Sequence, residues 1–341
     1  MRVNSRAERV CPICLSEDIR PWGSAPDIGV PGRKHDIVRC GNCTHLFVHP
    51  LPTEEYLAKA YGEGDPSVFS NNQFYESRSS APFNEADQWV WKQVSGLPFK
   101  GNFLDIGSAN LKLLQRIVGL GWGLTTVEPG SHVEHIRDHV QAEVHRNVFE
   151  ECNFRNQFDR ISAIDVLEHV HSPVHFLQKV ESCLSNRGVA LLRFPNSGSL
   201  RCRIERENWN MIRPLGHLHY FSPRSIREAC QRAGLQILSL GSHDLARYHF
   251  LSFKGRALRG VRFLWPITRL IDLARLGDQM LLKVKNGRKP GEVARHCHRD
   301  GSIRSPRLGP INRPGSEEKP ICGNAKMDGH SQCSYRAYGV L

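Results

Sequence analysis

The chain has 341 residues, 40% of them hydrophobic and 23% charged, a globular composition sized for one large domain with a small module and a tail. It contains no apolar run of about 18 residues, which argues against a membrane-spanning helix, and "MRVNSRAERVCPIC" lacks the apolar stretch of a secretory signal, so a cytoplasmic location with reduced thiols is expected. Of the net charge of +12, residues through Ala246 contribute nothing (27 Lys+Arg against 27 Asp+Glu), whereas 19 face 7 from Arg247 onward; the excess belongs to the C-terminal part, and no nucleic-acid partner is expected.

Residues 1–50 carry the first motif. Cys11-Pro-Ile-Cys14 and Cys40-Gly-Asn-Cys43 are two C-x2-C pairs. Zn²⁺ takes four thiolates at tetrahedral corners, and two knuckles with two thiolates each supply them. Gly41 is expected to give the second knuckle its tight turn. With every ligand drawn from the protein, the ion would be structural, holding together a zinc-ribbon-like module too small to build its own core. A redox pair or a chance pairing of cysteines is the alternative reading. Residues 51–84 are mixed and polar and read as a linker with short helical pieces.

Residues 85–286 alternate short apolar runs with helical periodicity. Strands are expected at Asn102–Ile106, Gly123–Glu128, Ala142–His145, Asp159–Asp165, Gly188–Phe194, Leu235–Leu240 and Asp278–Lys285. Helices are expected at Leu111–Gly119, Ser131–His139, Pro173–Leu184 and Pro223–Ala233. Strands alternating with helices imply an α/β fold with a parallel sheet and helices on both faces. An insert over 248–277 places Phe250, Leu258, Leu264 and Trp265 among arginines, an amphipathic basic element. It reads as a lid for an anionic acceptor, as a peripheral contact with an anionic membrane surface, or as a helical cover for a sheet edge. Residues 287–341, rich in Pro, Gly, Arg and Ser without a period, read as a basic, disordered tail.

The candidate ligand loop is "GNFLDIGSANLKLL", residues 101–114. An apolar strand reaches Asp105, then Gly107, and an amphipathic helix follows, as in nucleotide-type loops of α/β domains. A dinucleotide loop would need three closely spaced glycines, and only Gly107 stands here. Glu128 closes the second apolar run, "TTVEPG", where an acid can accept both hydroxyls of a ribose. Further along stand "FDRISAIDVLEHVHSPVHFL", "GVALLRFPNSGS" and "PLGHLHYFSPRSIREACQRAGLQIL".

In these stretches, over about residues 100–240, the chain resembles the class I S-adenosylmethionine-dependent methyltransferases. "GDQMLLKVKN" resembles their antiparallel seventh strand, and the paired cysteines resemble a zinc-binding segment found on a subgroup acting on sugars, glycans and small metabolites. The resemblance implies a Rossmann-like, seven-stranded, mostly parallel sheet, and S-adenosylmethionine as cofactor. It places Asp105, Gly107 and Ser108 against the cofactor, Glu128 on its ribose, Phe149 near its adenine and Asp165 beside its methyl group. It implies methyl transfer to a small-molecule or saccharide acceptor. The chain departs from the family's Asp-x-Gly-x-Gly-x-Gly at Ala109 and Leu111. Leu111 either begins the helix and packs inward or intrudes on the pocket, so a methyltransferase-fold protein that only binds a partner is the alternative.

Methyl transfer aligns a nucleophile with a sulfonium and removes a proton. Asp165, His169 and His217 are the catalytic candidates, with Glu168, His219 and Tyr220 beside them in sequence; capping, packing or lid roles are the alternatives. Asn196 either reaches a ligand or forms a turn with Pro195.

Overall fold

The computed structural model describes residues 10–26, 32–53, 83–108, 111–130, 133–214, 216–243 and 274–287. Most of the expected linker, the insert up to residue 273 and the tail from 288 lie outside the described residues, as does Ala109. No described helix is long and apolar enough to cross a membrane.

The chain opens with β1 (Ile19–Pro26), β2 (Lys34–Cys40) and β3 (Leu46–His49), an antiparallel meander. Helix α1 (Glu85–Val94) begins at a capping box in which Asn84 and Asp87 each take the other's backbone N–H. The alternating region then runs β4 (Asn102–Ile106), α2 (Leu111–Gly119), β5 (Gly123–Val127), α3 (Val133–His139), β6 (Glu143–His145) and β7 (Phe158–Ile164). It continues with α4 (Pro173–Cys183), β8 (Leu184–Pro195), α5 (Leu200–Glu205), β9 (His219–Tyr220), α6 (Pro223–Arg232), β10 (Leu235–His243) and β11 (Gln279–Asn286). Pro173 and Pro223 open their helices, where the missing N–H costs nothing.

Seven strands form one sheet in the order β10-β11-β8-β7-β4-β5-β6. β4 is parallel to both β5 and β7, and only β11 runs antiparallel to its neighbours β8 and β10. Each face has its own apolar layer. Val90, Val94, Leu114, Ile117 and Ile136 of α1, α2 and α3 cover one. Phe176, Leu177, Val180, Ile226 and Ala229 of α4 and α6 cover the other. Strand order reverses between β4 and β7, which opens a crevice outside their C-terminal ends, where α/β sheets bind ligands. Leu111 begins α2 and is 5% exposed, packed in the first layer. The expected strands and helices fall within a few residues of the observed ones, except that β8 starts four residues early, directly after α4.

The N-terminal meander does not stand alone. β9, from far along the chain, pairs antiparallel with β3 and completes a second sheet, β1-β2-β3-β9. Its apolar side packs Ala25, Ile37, Leu46 and Val48 against Cys202, Trp209 and Tyr220. Trp209 is 1% exposed. The small module borrows a core that its own residues cannot supply.

Candidate functional site

The cofactor-type loop is organised by buried hydroxyls. Asp105, the next-to-last residue of β4, is 6% exposed. One carboxylate oxygen accepts from Ser162 Oγ on β7, and the other accepts from Ser108 Oγ at 2.8 Å. Ser108 Oγ lies 2.5 Å from Thr126 Oγ1 on β5. The network therefore laces three neighbouring strand ends. Burial drives the Asp105 carboxyl up to about 6, against the pull of the two serine hydrogen bonds. Gly107 follows at φ +74, and its N–H donates to Val127 O at 2.9 Å. A Cβ there would stand 2.6 Å from Val166 Cγ2. The backbone conformation and the close approach both require glycine. At the end of β5, Glu128 is 1% exposed and its Oε1 accepts from Gly130 N at 2.9 Å.

Val166 belongs to the turn after β7, which brings more chemistry to the same crevice. Asp165 sits at φ +57, a left-handed conformation uncommon for a side-chain-bearing residue. Its carboxylate takes both arms of Arg193 from β8, Nε to Oδ1 at 2.9 Å and Nη2 to Oδ2. Three residues on, Glu168 is 1% exposed, and its Oε1 lies 4.0 Å from His169 Nε2. The His169 and His217 rings meet edge to face with centroids 5.0 Å apart. Glu168, His169 and His217 each place a donor atom within 4.8 Å of the others. Nδ1 of His169 pairs with Gly216 O, and Nδ1 of His217 with Met211 O at 2.8 Å. Burial, and then the neighbouring His169, lower His217 to about 3, so the ring is neutral at pH 7.

The segment bearing His217 is clamped by the N-terminal module. Val48 N donates to Leu218 O at 3.0 Å, and Leu218 N donates to Glu168 O at 2.9 Å. His45 Nε2 lies 3.1 Å from His219 Nδ1, and Thr44 Oγ1 lies 2.7 Å from Ser222 Oγ. His219 is fully buried against His45 and is lowered to about 3 by burial.

The four cysteines close into a cluster whose donor atoms all lie within 4.8 Å of one another. Sγ atoms of Cys11 and Cys43, and of Cys14 and Cys40, are 3.5 Å apart, near the ~3.8 Å edge of a tetrahedron with Zn–S bonds of about 2.3 Å. The two knuckles repeat one design. Leu15 N and Thr44 N donate to Cys11 O and Cys40 O, Cys11 N and Cys40 N donate to Ser16 O and His45 O, and Leu15 and Thr44 sit at φ +60 and +65. The hydrogen bond between the Cys11 and Cys43 thiols lowers Cys11 to about 6 and raises Cys43. The expectation for Gly41 is corrected: the left-handed turn residue is Thr44, and a Cβ at Gly41 would only have to displace the exposed Asp18 carboxylate.

Three other candidate residues lie inside packed surroundings. Asn196 is a turn residue, fully buried, with its amide on Arg275 O and Gly277 O and its Oδ1 capping Gly198 N. Tyr220 accepts from Arg213 N at 3.2 Å inside the small core. Phe149 is 3% exposed and packs its ring against Phe154 and Phe176. Arg193, Ser162, Thr126 and His45 were not singled out from sequence. An arginine inside the apolar run "GVALLRFP" was the available signal for the first; isolated hydroxyls in strands gave none for Ser162 and Thr126.

Residues 83–240 match the family described as "Methyltransferase domain". That stretch of the chain is similar to a methyltransferase domain, and it contains Asp105, Gly107 and Glu128. No curated protein matches it significantly. Among solved structures it is similar to a 1,6-didemethyltoxoflavin-N1-methyltransferase of Burkholderia thailandensis, at 11% identity over 78% of this chain and 99% of that one, TM-score 0.46. It is also similar to a possible histamine N-methyltransferase of Thermotoga maritima, at 15% identity over 69% and 100%, TM-score 0.42. A third is an S-adenosylmethionine-dependent methyltransferase of Clostridium acetobutylicum, at 10% identity over 63% and 97%, TM-score 0.42.

Proposed function

We propose that the domain transfers a methyl group from S-adenosylmethionine to a small-molecule acceptor, saccharides included, at the C-terminal ends of β4, β5 and β7. The observation that carries this is the juxtaposition of Gly107, left-handed and without room for a Cβ, with buried acids closing β4 and β5. A cofactor with an adenosine and a methionine part fits this set. Asp105, Gly107 and Ser108 would hold the methionine side, Glu128 would accept from the ribose hydroxyls, and Phe149 would border the adenine. The bound cofactor supplies an electrophilic methyl group. Asp165, locked by Arg193, would orient ligands beside that group rather than take a proton, because its carboxylate already carries a bidentate cation. His169 and His217 would face the acceptor.

The four cysteines would hold a structural Zn²⁺, since four soft donors at this spacing leave no open position for substrate. A cytoplasmic location, where those thiols stay reduced, accords with this reading.

Incubating the full chain with methyl-labelled S-adenosylmethionine and a panel of hydroxylated metabolites and sugars tests the function. Label is expected in one class of small molecule. Label in no member of a broad panel, or only in protein added as acceptor, would contradict it.

A further inference from the structure

We propose that Glu168, His169 and His217 form a divalent-cation site that receives the acceptor's oxygen, which makes the acceptor a hydroxyl compound and the product an O-methyl ether. This rests on the methyl-transfer reading above and adds the acceptor class to it.

The geometry has three parts. The first is the donor set. A buried carboxylate and two imidazoles converge within 4.8 Å, and two histidines with one carboxylate is a set that binds zinc and other first-row divalent ions with positions left open. The second is orientation. Each ring spends Nδ1 on a backbone carbonyl, His169 on Gly216 and His217 on Met211. A carbonyl accepts only N–H, so the proton sits on Nδ1 and the lone pair on Nε2 in both rings. That is the tautomer a metal ligand needs, fixed by the outer-shell partner that ligating histidines usually have. Two neighbouring histidines serving only as packing residues would not need the same nitrogen tied down in both.

The third part is position. Val166, two residues before Glu168, lies against Gly107, so the cluster stands within one turn of the cofactor loop. Its backbone is fixed from two sides, by His169 N on Val166 O and by Leu218 and His219 N–H groups on Glu168 O. A protein-bound cation with an open position acidifies a coordinated hydroxyl. The acceptor's O–H bond then breaks and its proton leaves to solvent. An oxygen lone pair forms the new C–O bond as the S–CH₃ bond breaks, and the pair from that bond stays on sulfur, so one positive charge is exchanged for one released proton. This assigns the acid–base work to the ion and leaves the half-buried histidines as ligands.

The test uses the full-length, zinc-loaded chain titrated with CoCl₂ and followed by visible absorption. One Co²⁺ is expected to bind with ligand-field bands and no sulfur-to-cobalt charge transfer, since the cysteines are occupied. Glu168→Gln and His217→Ala should each lower the Co²⁺ affinity about tenfold or more while keeping S-adenosylhomocysteine affinity, measured by calorimetry on the same preparations; His169→Ala replaces either variant that fails to bind it. Adding catechol as a bidentate oxygen probe should shift the cobalt bands of the wild type. Absence of Co²⁺ binding at millimolar concentration with homocysteine-ligand binding intact, or binding unchanged in the variants, would overturn the site. Bands unmoved by catechol would overturn the acceptor assignment. Loss of S-adenosylhomocysteine binding in the wild type would instead overturn the parent reading.

Discussion

The cysteine cluster and the Glu168–His169–His217 cluster flank one pair of strands, β3 and β9, and they are held in different ways. Each cysteine knuckle makes its own turn with its own backbone hydrogen bonds, and the two knuckles repeat one geometry. The second cluster has no such autonomy. Its glutamate and first histidine sit on a turn after β7, while His217 arrives on a distant segment that β3 of the N-terminal module holds in place. The difference teaches what the module is for. It is a buttress whose second knuckle leads into β3, whose β3 pairs with β9, and whose β9 directly follows the segment that carries His217.

The strongest way to break the contrast is to disrupt the knuckles and the zinc proposed for them. Cys40→Ser, or a chelator strong enough to strip the knuckles, should unfold the module, because structural zinc contributes on the order of 10 kcal/mol to small sites. Trypsin should then cut at Lys34 and Arg39 while the seven-stranded sheet stays resistant, and methyl transfer should fall with the loss of β9 pairing. Trp209→Ala attacks the same buttress from the catalytic side. It empties the shared core and should cost about 3–5 kcal/mol in urea unfolding, with zinc content retained.

On the cofactor side, Gly107→Ala should cost about 2–4 kcal/mol, combining a left-handed backbone penalty with overpacking on Val166. Adding Val166→Ala should recover the packing part and leave the backbone part, a partition that a double-mutant cycle of stabilities reads directly. The knuckles should be indifferent to both changes.

The finest probe is pH. The folded Asp105 carboxyl, near 6, lies above its unfolded value of 3.8. Between these values the native state holds a proton that the unfolded chain has released. The contribution of Asp105 to stability is therefore full below about pH 4, declines as pH rises, and levels off above about 6. Urea unfolding of wild type against Asp105→Asn from pH 4 to 7.5 should show the wild type losing up to about 3 kcal/mol relative to the variant over that window. A relative gain would contradict the burial of this group.

How much of this was legible in the sequence followed from how local each feature is. The knuckles declare themselves because both ligands of a pair lie three positions apart on one turn. The parallel sheet declares itself because each buried strand is a short apolar run, and Glu128 stands out as an acid closing such a run. Leu111 was ambiguous, since a leucine after a loop serves either a core or a pocket wall, and packing against α1 and α3 decided for the core. Arg193 was hidden because its partner, Asp165, lies in the turn after a different strand, β7. The borrowing of Trp209, Tyr220 and β9 by the N-terminal module was hidden because a two-residue strand has no periodicity, and its pairing is imposed by tertiary contact.

The central claim, that the Asp105–Gly107–Glu128 crevice binds the methyl donor despite Ala109 and Leu111, is tested most directly by calorimetric titration with S-adenosylhomocysteine, wild type beside Glu128→Ala. Micromolar binding by the wild type, weakened about tenfold or more in the variant, is the predicted result. No binding by the wild type up to about millimolar, a free energy weaker than roughly −4 kcal/mol, would contradict it.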